Sequence, residues 1–211
     1  MRLGLSAATL LAALGAAAPA RAGDSDGLYG RFDGDLELRV AVGAALAGGG
    51  AALAAQVTAL YLGTAGVYAH YTDALGAGGP RTTRSLATGL HFSPVFLARY
   101  ASNVEHGPAR ADLLLDSLAF EIGPFWAEPR GAAWAKTPGL EIALGLAFPI
   151  LGRATGPFVG VRGALRWRAG DFAAGMGGGD PLERGALLSL TLGWHHVVPS
   201  HLVDAGDGLV R

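Results

Sequence analysis

Apolar and polar positions along this chain alternate with a period of two. From Leu36 the apolar set is Leu36, Leu38, Val40, Val42, Ala44 and Leu46, and between them stand Glu37, Arg39, Ala41, Gly43 and Ala45. That period marks a strand with two unlike faces, whereas an amphipathic helix repeats near 3.6. The alternation recurs at Leu140, Ile142, Leu144, Leu146 and Phe148, at Val159, Val161, Leu165 and Trp167, and at Ala186, Leu188, Leu190, Leu192 and Trp194. Weaker versions cover residues 53–61, 66–72, 84–92 and 117–126. Eight strands are expected, each near the length of about 9–11 residues that a tilted strand needs to cross a bilayer. A rival reading takes Val40 to Tyr71, which holds no Asp, Glu, Lys or Arg, as a Gly/Ala-rich pair of helices. Gly48, Gly49 and Gly50 would break a helix in mid-span, so the strands are favoured.

The residues on the polar parity are small rather than charged at the strand centres: Ala41, Gly43, Ala87, Gly89, Ala143, Gly145, Gly160 and Ala164. The crowded inside of a narrow barrel needs such residues, whereas a water-facing surface would carry Lys, Glu and Thr. The apolar parity tends to finish in an aromatic: Tyr61, Tyr71, Phe92, Trp126, Phe148, Trp167 and Trp194, with Phe32 just before the first strand. Aromatics favour strands in general, but Tyr and Trp on one parity near strand ends suit the membrane interface. The expected fold is all-β, an antiparallel up-and-down transmembrane β-barrel of eight strands with lipid outside.

If the N-terminus is periplasmic, the inner connections are residues 62–65, 93–116 and 149–156, and the outer ones 47–52, 73–83, 127–139 and 169–184. Residues 93–116 are far too many for a turn. Pro108 after Gly107 suits a helix start. An interfacial helix or a flap over the barrel mouth is one expectation. The other is that part of this segment lengthens strand five, since Leu114, Leu118, Phe120 and Ile122 share a parity.

Composition sharpens the picture. The chain has 211 residues, and residues 1–22 carry a basic start, an Ala/Leu-rich run and the small-x-small site Ala20-Arg21-Ala22, the layout of a secretory signal peptide. The barrel is expected over 23–196 and a C-terminal tail over 197–211. Of 16 Lys and Arg against 17 Asp and Glu, Arg2 and Arg21 fall in the signal segment, leaving the remainder acidic by about three charges. A nucleic-acid partner is not expected from that balance. Cysteine is absent, which excludes disulfides, thiol catalysis and cysteine-based metal sites. Only 16% of residues are charged, below the roughly 25% of a soluble domain. That deficit fits a surface that partly avoids water.

In plan the chain resembles a small Gram-negative outer-membrane barrel of the kind of the OmpA transmembrane domain. Glu183, Gly185, Leu188 and Leu190 resemble the barrel-assembly signature in a last strand, although residues 197–211 follow it and no terminal Phe or Trp closes the chain. Phe96 to Tyr100, Leu115 to Leu118 and Gly193 to His196 resemble segments of predicted outer-membrane proteins from high-GC Gram-negative bacteria. The resemblance implies outer-membrane lipid and the barrel-assembly machinery as partners, and no activity.

The candidate chemistry lies on the inward parity. Glu37, Arg39, Glu121, Glu141, Arg162, Arg166 and Arg168, with Arg84 less firmly, are expected to point inward. A charge in a narrow barrel must be paired, so a salt-bridge network plugging the lumen is the main expectation. The arginine surplus on strand seven keeps an anion-selective channel as an alternative. His70, His91 and His195 share the inward parity near Ser189, Thr191, Glu121 and Glu141, which keeps a lipid-modifying enzyme open. His196, Ser200, His201 and Asp204 make a second polar set in the tail. His195 and His196 point to opposite faces of a strand and cannot share a metal there. No P-loop, dinucleotide fingerprint or HExxH occurs, and no cofactor or metal is expected. A soluble periplasmic ligand-binding barrel with its faces inverted is the remaining alternative. The leading expectation is a barrel of structural or interaction role.

Overall fold

The computed structural model describes residues 28–47, 50–75, 82–102, 104, 107–169 and 185–200. The signal segment 1–22, Glu183 and most of the tail, with His201 and Asp204, lie outside the described residues. Eight antiparallel strands form a closed up-and-down barrel in which every strand pairs with its sequence neighbours. They are β1 (Leu36–Ala47), β2 (Gly50–Tyr61), β3 (Ala65–Ala74), β4 (Thr82–Phe92), β5 (Ala119–Pro129), β6 (Gly139–Pro149), β7 (Gly156–Trp167) and β8 (Gly185–Val198). Closure comes from β8 on β1, in register from Leu36 opposite Val198 to Ala47 opposite Leu187. A closed barrel has no edge strand, so its ladder hydrogen bonds are satisfied within the wall.

Val40 to Tyr71 forms most of β1, all of β2 and most of β3, so the helical alternative is set aside. β2 begins at Gly50, before the alternation becomes visible, because Gly50, Ala51 and Ala52 offer no contrast of polarity. β8 runs on to Val198, so Val197 and Val198 belong to the barrel rather than to a tail.

Between β4 and β5 the chain builds a helical hairpin, α1 (Pro94–Ala101) and α2 (Ala109–Asp116). The expectation that this segment lengthens strand five is corrected, since Leu114 lies in α2 and β5 starts at Ala119. The reason is local: Ala-Arg-Ala-Asp-Leu-Leu-Leu-Asp contains no β-branched residue, and most of its members are strong helix formers. Pro108 stands just before its first turn, as a residue with fixed φ and no amide donor can. The hairpin sits at the base of the barrel, the end where β1 begins. The Ser117 hydroxyl donates to the Ala147 carbonyl at 3.0 Å and accepts from the Ala147 amide at 2.8 Å, tying the end of α2 to β6.

The two faces of the wall are unlike. Large apolar side chains on the outward parity are exposed, among them Leu53, Val57, Leu144, Leu165, Leu188, Leu190 and Leu192. Charges on the outward strand parity are Asp73, Arg84 and Glu128, adjacent in register at the top of β3, β4 and β5. Arg84 therefore points outward, a correction, and pairs with Glu128 at 3.7 Å. Inside, the upper barrel packs Ala45, Ala52, Ala54, Ala143, Ala164 and Leu187 into one cluster, and Tyr68, Ala87, Phe125 and Ala127 into a second. Glycine also lets neighbouring strands lie close, as at β4–β5, where a Cβ on Gly123 would lie 2.0 Å from the Thr88 carbonyl oxygen.

Candidate functional site

Among the described residues, the barrel interior gathers most of the buried polar groups. Glu121 on β5, Glu141 on β6 and Arg162 and Arg166 on β7 form one continuous network. Arg162 donates from Nε to Glu121 at 2.7 Å and from Nη2 to Glu141 at 2.5 Å, and Arg166 Nε reaches the other Glu141 oxygen at 2.5 Å. The β6–β7 register makes this possible by setting Glu141 opposite Arg166 and Gly145 opposite Arg162. Both glutamates are at most 1% exposed.

Neutral donors complete the carboxylates. Gln56 donates to Glu121 at 2.9 Å and the Tyr68 hydroxyl to Glu141 at 3.3 Å. Above them Arg166 donates to the Ser85 hydroxyl at 2.8 Å, and Ser85 pairs with Thr72 at 2.6 Å. The guanidiniums also lie over aromatic faces, Arg162 at 5.4 Å from the Tyr68 centroid and Arg166 at 5.1 Å from that of Phe125. A buried ion pair is costly unless its remaining hydrogen-bonding capacity is used. Here the carboxylates gain neutral donors, while Arg162 Nη1 and Arg166 Nη2 are buried without a hydrogen-bond partner among the described residues.

Nearer the base, Glu37 accepts from Arg39 at 3.1 Å and pairs with His195 Nε2 at 2.9 Å. His91 Nδ1 lies 2.9 Å from Glu121, and its Nε2 lies 3.4 Å from the Ser93 hydroxyl. The three histidines thus face inward but serve different partners. Among the described residues neither ring nitrogen of His70, which is fully buried, has a hydrogen-bond partner. Arg168 follows β7 at the top and is half-buried. On the strands the inward carboxylates Glu37, Glu121 and Glu141 match the guanidiniums of Arg39, Arg162 and Arg166 in number. The surplus suggested by strand seven alone is offset from β5 and β6.

The helical hairpin closes the base with a second polar cluster. Asp116 is held by Arg31 and by Arg99 Nε at 2.9 Å, and Asp112 by Arg99, by the Tyr29 hydroxyl at 2.9 Å and by the Gly107 amide at 2.8 Å. Burial works to raise the Asp112 carboxyl. The bonds from Tyr29, Gly107 and Arg99 outweigh it and hold the group below the ordinary aspartate range. Arg31 lies 4.8 Å from the centroid of Phe96, and Phe32, Phe96 and Tyr100 stack at 5.1–6.2 Å.

Phe32 is therefore part of this cap, apart from the other seven aromatics named from the sequence. Those fall at two heights. Tyr61, Phe92, Phe148 and Trp194 lie toward the base and Tyr71, Trp126 and Trp167 toward the top, all on the outward parity.

Small cavities lie among these groups. One, of about 40 Å³, lies under the hairpin among Arg31, Glu37, Arg39, Phe96, Asp116 and His195. Another, of about 50 Å³, lies among Arg39, Gln56, His91, Glu121, Arg162 and Thr191. Each has room for a few waters, since one needs about 10–15 Å³ by this measure.

Sequence alternation identified the inward charges but missed the cap, because Arg31, Arg99, Asp112 and Asp116 lie outside any strand and are brought together only by the hairpin. Ser93 was also missed, although it shares parity with His91 two residues before it. Comparison with protein-family models, curated proteins and solved structures finds no match. The functional reading rests on geometry.

Proposed function

We propose that this protein is an outer-membrane β-barrel of the OmpA transmembrane-domain plan, with a lumen sealed by its own charged network and a structural or interaction role. The observation that carries the reading is the outward face. Its exposed leucines, valines and aromatics run round the circumference, and the charges Asp73, Arg84 and Glu128 appear only at its top rim. Soluble monomers rarely expose contiguous apolar patches beyond about 300–600 Å². An inverted soluble barrel would need these side chains inside. The two levels of aromatics suit the two interfaces of a bilayer. The base then faces the periplasm, and the top faces outward.

Lipid is the partner of the outer wall, and the assembly machinery inserts the chain after export by residues 1–22. The paired interior supports plugging over conduction, because each lumen glutamate is bound to a guanidinium or histidine and the two cavities measure only about 40 and 50 Å³. Fractionation combined with gel mobility before and after boiling tests the reading. The chain is expected in the detergent-extracted outer-membrane fraction, with folded and boiled bands at different positions. Quantitative release by buffer alone, with one band in both lanes, would overturn it.

A further inference from the structure

We propose that Ser93, His91 and Glu121 form a hydrolytic relay for carboxylic esters, covered in this conformation by the α1–α2 hairpin. The three side chains make one chain of contacts: Ser93 Oγ to His91 Nε2 at 3.4 Å, and His91 Nδ1 to Glu121 at 2.9 Å. That is the order of nucleophile, base and orienting carboxylate, and the carboxylate selects the tautomer whose Nε2 is free to accept the serine proton. Free enzymes often hold the serine–histidine contact long until substrate arrives. Glu121 is itself fixed by Gln56 and Arg162, so the imidazole has a rigid support.

Ser93 also departs from the ordinary work of a serine in its place. It is the N-cap of α1, where a hydroxyl normally accepts from the second or third amide of the helix, yet it makes no such bond. Its hydroxyl faces His91 instead. Pro94 brings no amide, so Val95 and Phe96 carry the first N–H groups of α1, and the Ser93 hydroxyl bonds to neither. Such amides stabilise a developing oxyanion.

In the reaction Ser93 Oγ bonds to the ester carbonyl carbon as its proton passes to His91 Nε2. The tetrahedral intermediate collapses, the carbon–alkoxy bond breaks, and His91 returns the proton to the departing alcohol. Water then adds to the acyl-serine, giving its proton to His91. Release of the acid restores the Ser93 hydroxyl with that proton. Ser93 is 1% exposed, so an ester reaches it only when the hairpin lifts from the base. The cluster of Asp112, Asp116, Arg31 and Arg99 holds the hairpin down and so sets how often the relay opens.

The test uses the full-length barrel, folded in detergent micelles and in phosphatidylethanolamine–phosphatidylglycerol vesicles, with a fluorophosphonate probe and peptide mapping. Labelling at Ser93 is expected and should be absent in Ser93→Ala. His91→Gln should slow it by about 10²–10⁴-fold, with the heat-dependent gel shift retained to show that the barrel has folded. Asp112→Asn, which touches no reacting group, should speed labelling by loosening the hairpin. Glu121→Gln should lower kcat for p-nitrophenyl butyrate while leaving KM unchanged, as expected of a positioning residue. Turnover of vesicle lipid, of p-nitrophenyl butyrate or of both supports the relay and tells a membrane ester from a soluble one. Absence of label in both media, labelling unchanged in His91→Gln, or label without turnover of either ester would overturn it. None of these outcomes bears on the membrane reading, which the gel shift and fractionation test separately.

Discussion

At the scale of single residues, the buried charges differ in worth according to how completely they are enclosed. Glu141 is fully buried and binds two guanidiniums, so removing it takes the carboxylate from Arg166 and leaves Arg162 with Glu121 alone. Glu141→Ala is expected to destabilise the barrel by about 3–5 kcal/mol, the cost of breaking a buried pair, read from urea unfolding in vesicles. Arg84 pairs with Glu128 across 3.7 Å on the outer rim with half its side chain exposed. Arg84→Ala should therefore cost less than about 1 kcal/mol in the same assay. Asp112 gives a pH signature. Its folded carboxyl is held below the ordinary value of 3.8, so its contribution to hairpin docking is complete above that pH and is lost as pH falls through the lowered value. Hydrogen exchange of the α2 amides, corrected for intrinsic rates, should show protection that persists at neutral pH and collapses only in acid. Asp112→Asn should be less protected at neutral pH and lack that acid step.

At the scale of elements, alternation made the strands legible wherever large and small residues contrast, as in Leu36–Leu46 and Leu140–Phe148. It failed where the contrast vanishes, at Gly50–Ala52, and where two short helices replace a turn. The inward charges were legible because parity alone places them. Their pairing was not, because Glu121, Glu141 and Arg162 meet only through the registers of β5, β6 and β7. The β2–β3 turn shows a different limit. Leu62 (φ 48°) and Gly63 (φ 64°) both take positive φ, as the central residues of a type I′ hairpin must, and Thr64 N–H closes the turn on the Tyr61 carbonyl at 3.1 Å. Leucine is a poor choice for the first of these positions, at a cost of about 1–2 kcal/mol relative to a right-handed conformation. Leu62→Asn should therefore raise stability by about 1 kcal/mol, seen as a higher urea midpoint. Gly63→Ala should lower it, because the added Cβ would lie 2.7 Å from Glu37 Oε1 as well as at positive φ.

At the scale of the whole molecule, two opposite requirements act on one wall only a single strand thick. Its outside must carry no charge between the aromatic levels, and its inside must neutralise every charge that it carries. Alternation meets both at once, since neighbouring residues on a strand face opposite environments. A substitution's cost should then depend on parity more than on chemistry. Leu190 is exposed and lies near the middle of β8, whereas Ser189 beside it is 1% exposed inside the barrel. If lipid covers the outer wall, Leu190→Arg should destabilise the vesicle-folded barrel by about 2–4 kcal/mol, and the same change at the top rim by about 0–1 kcal/mol. If water covers it, Leu190→Arg should be close to neutral and should improve solubility without detergent. Urea titration of the vesicle-folded variants, with Leu190→Ala as the control for lost apolar area, separates the two outcomes. The depth dependence is the deciding part, because loss of packing alone would not fade toward the rim.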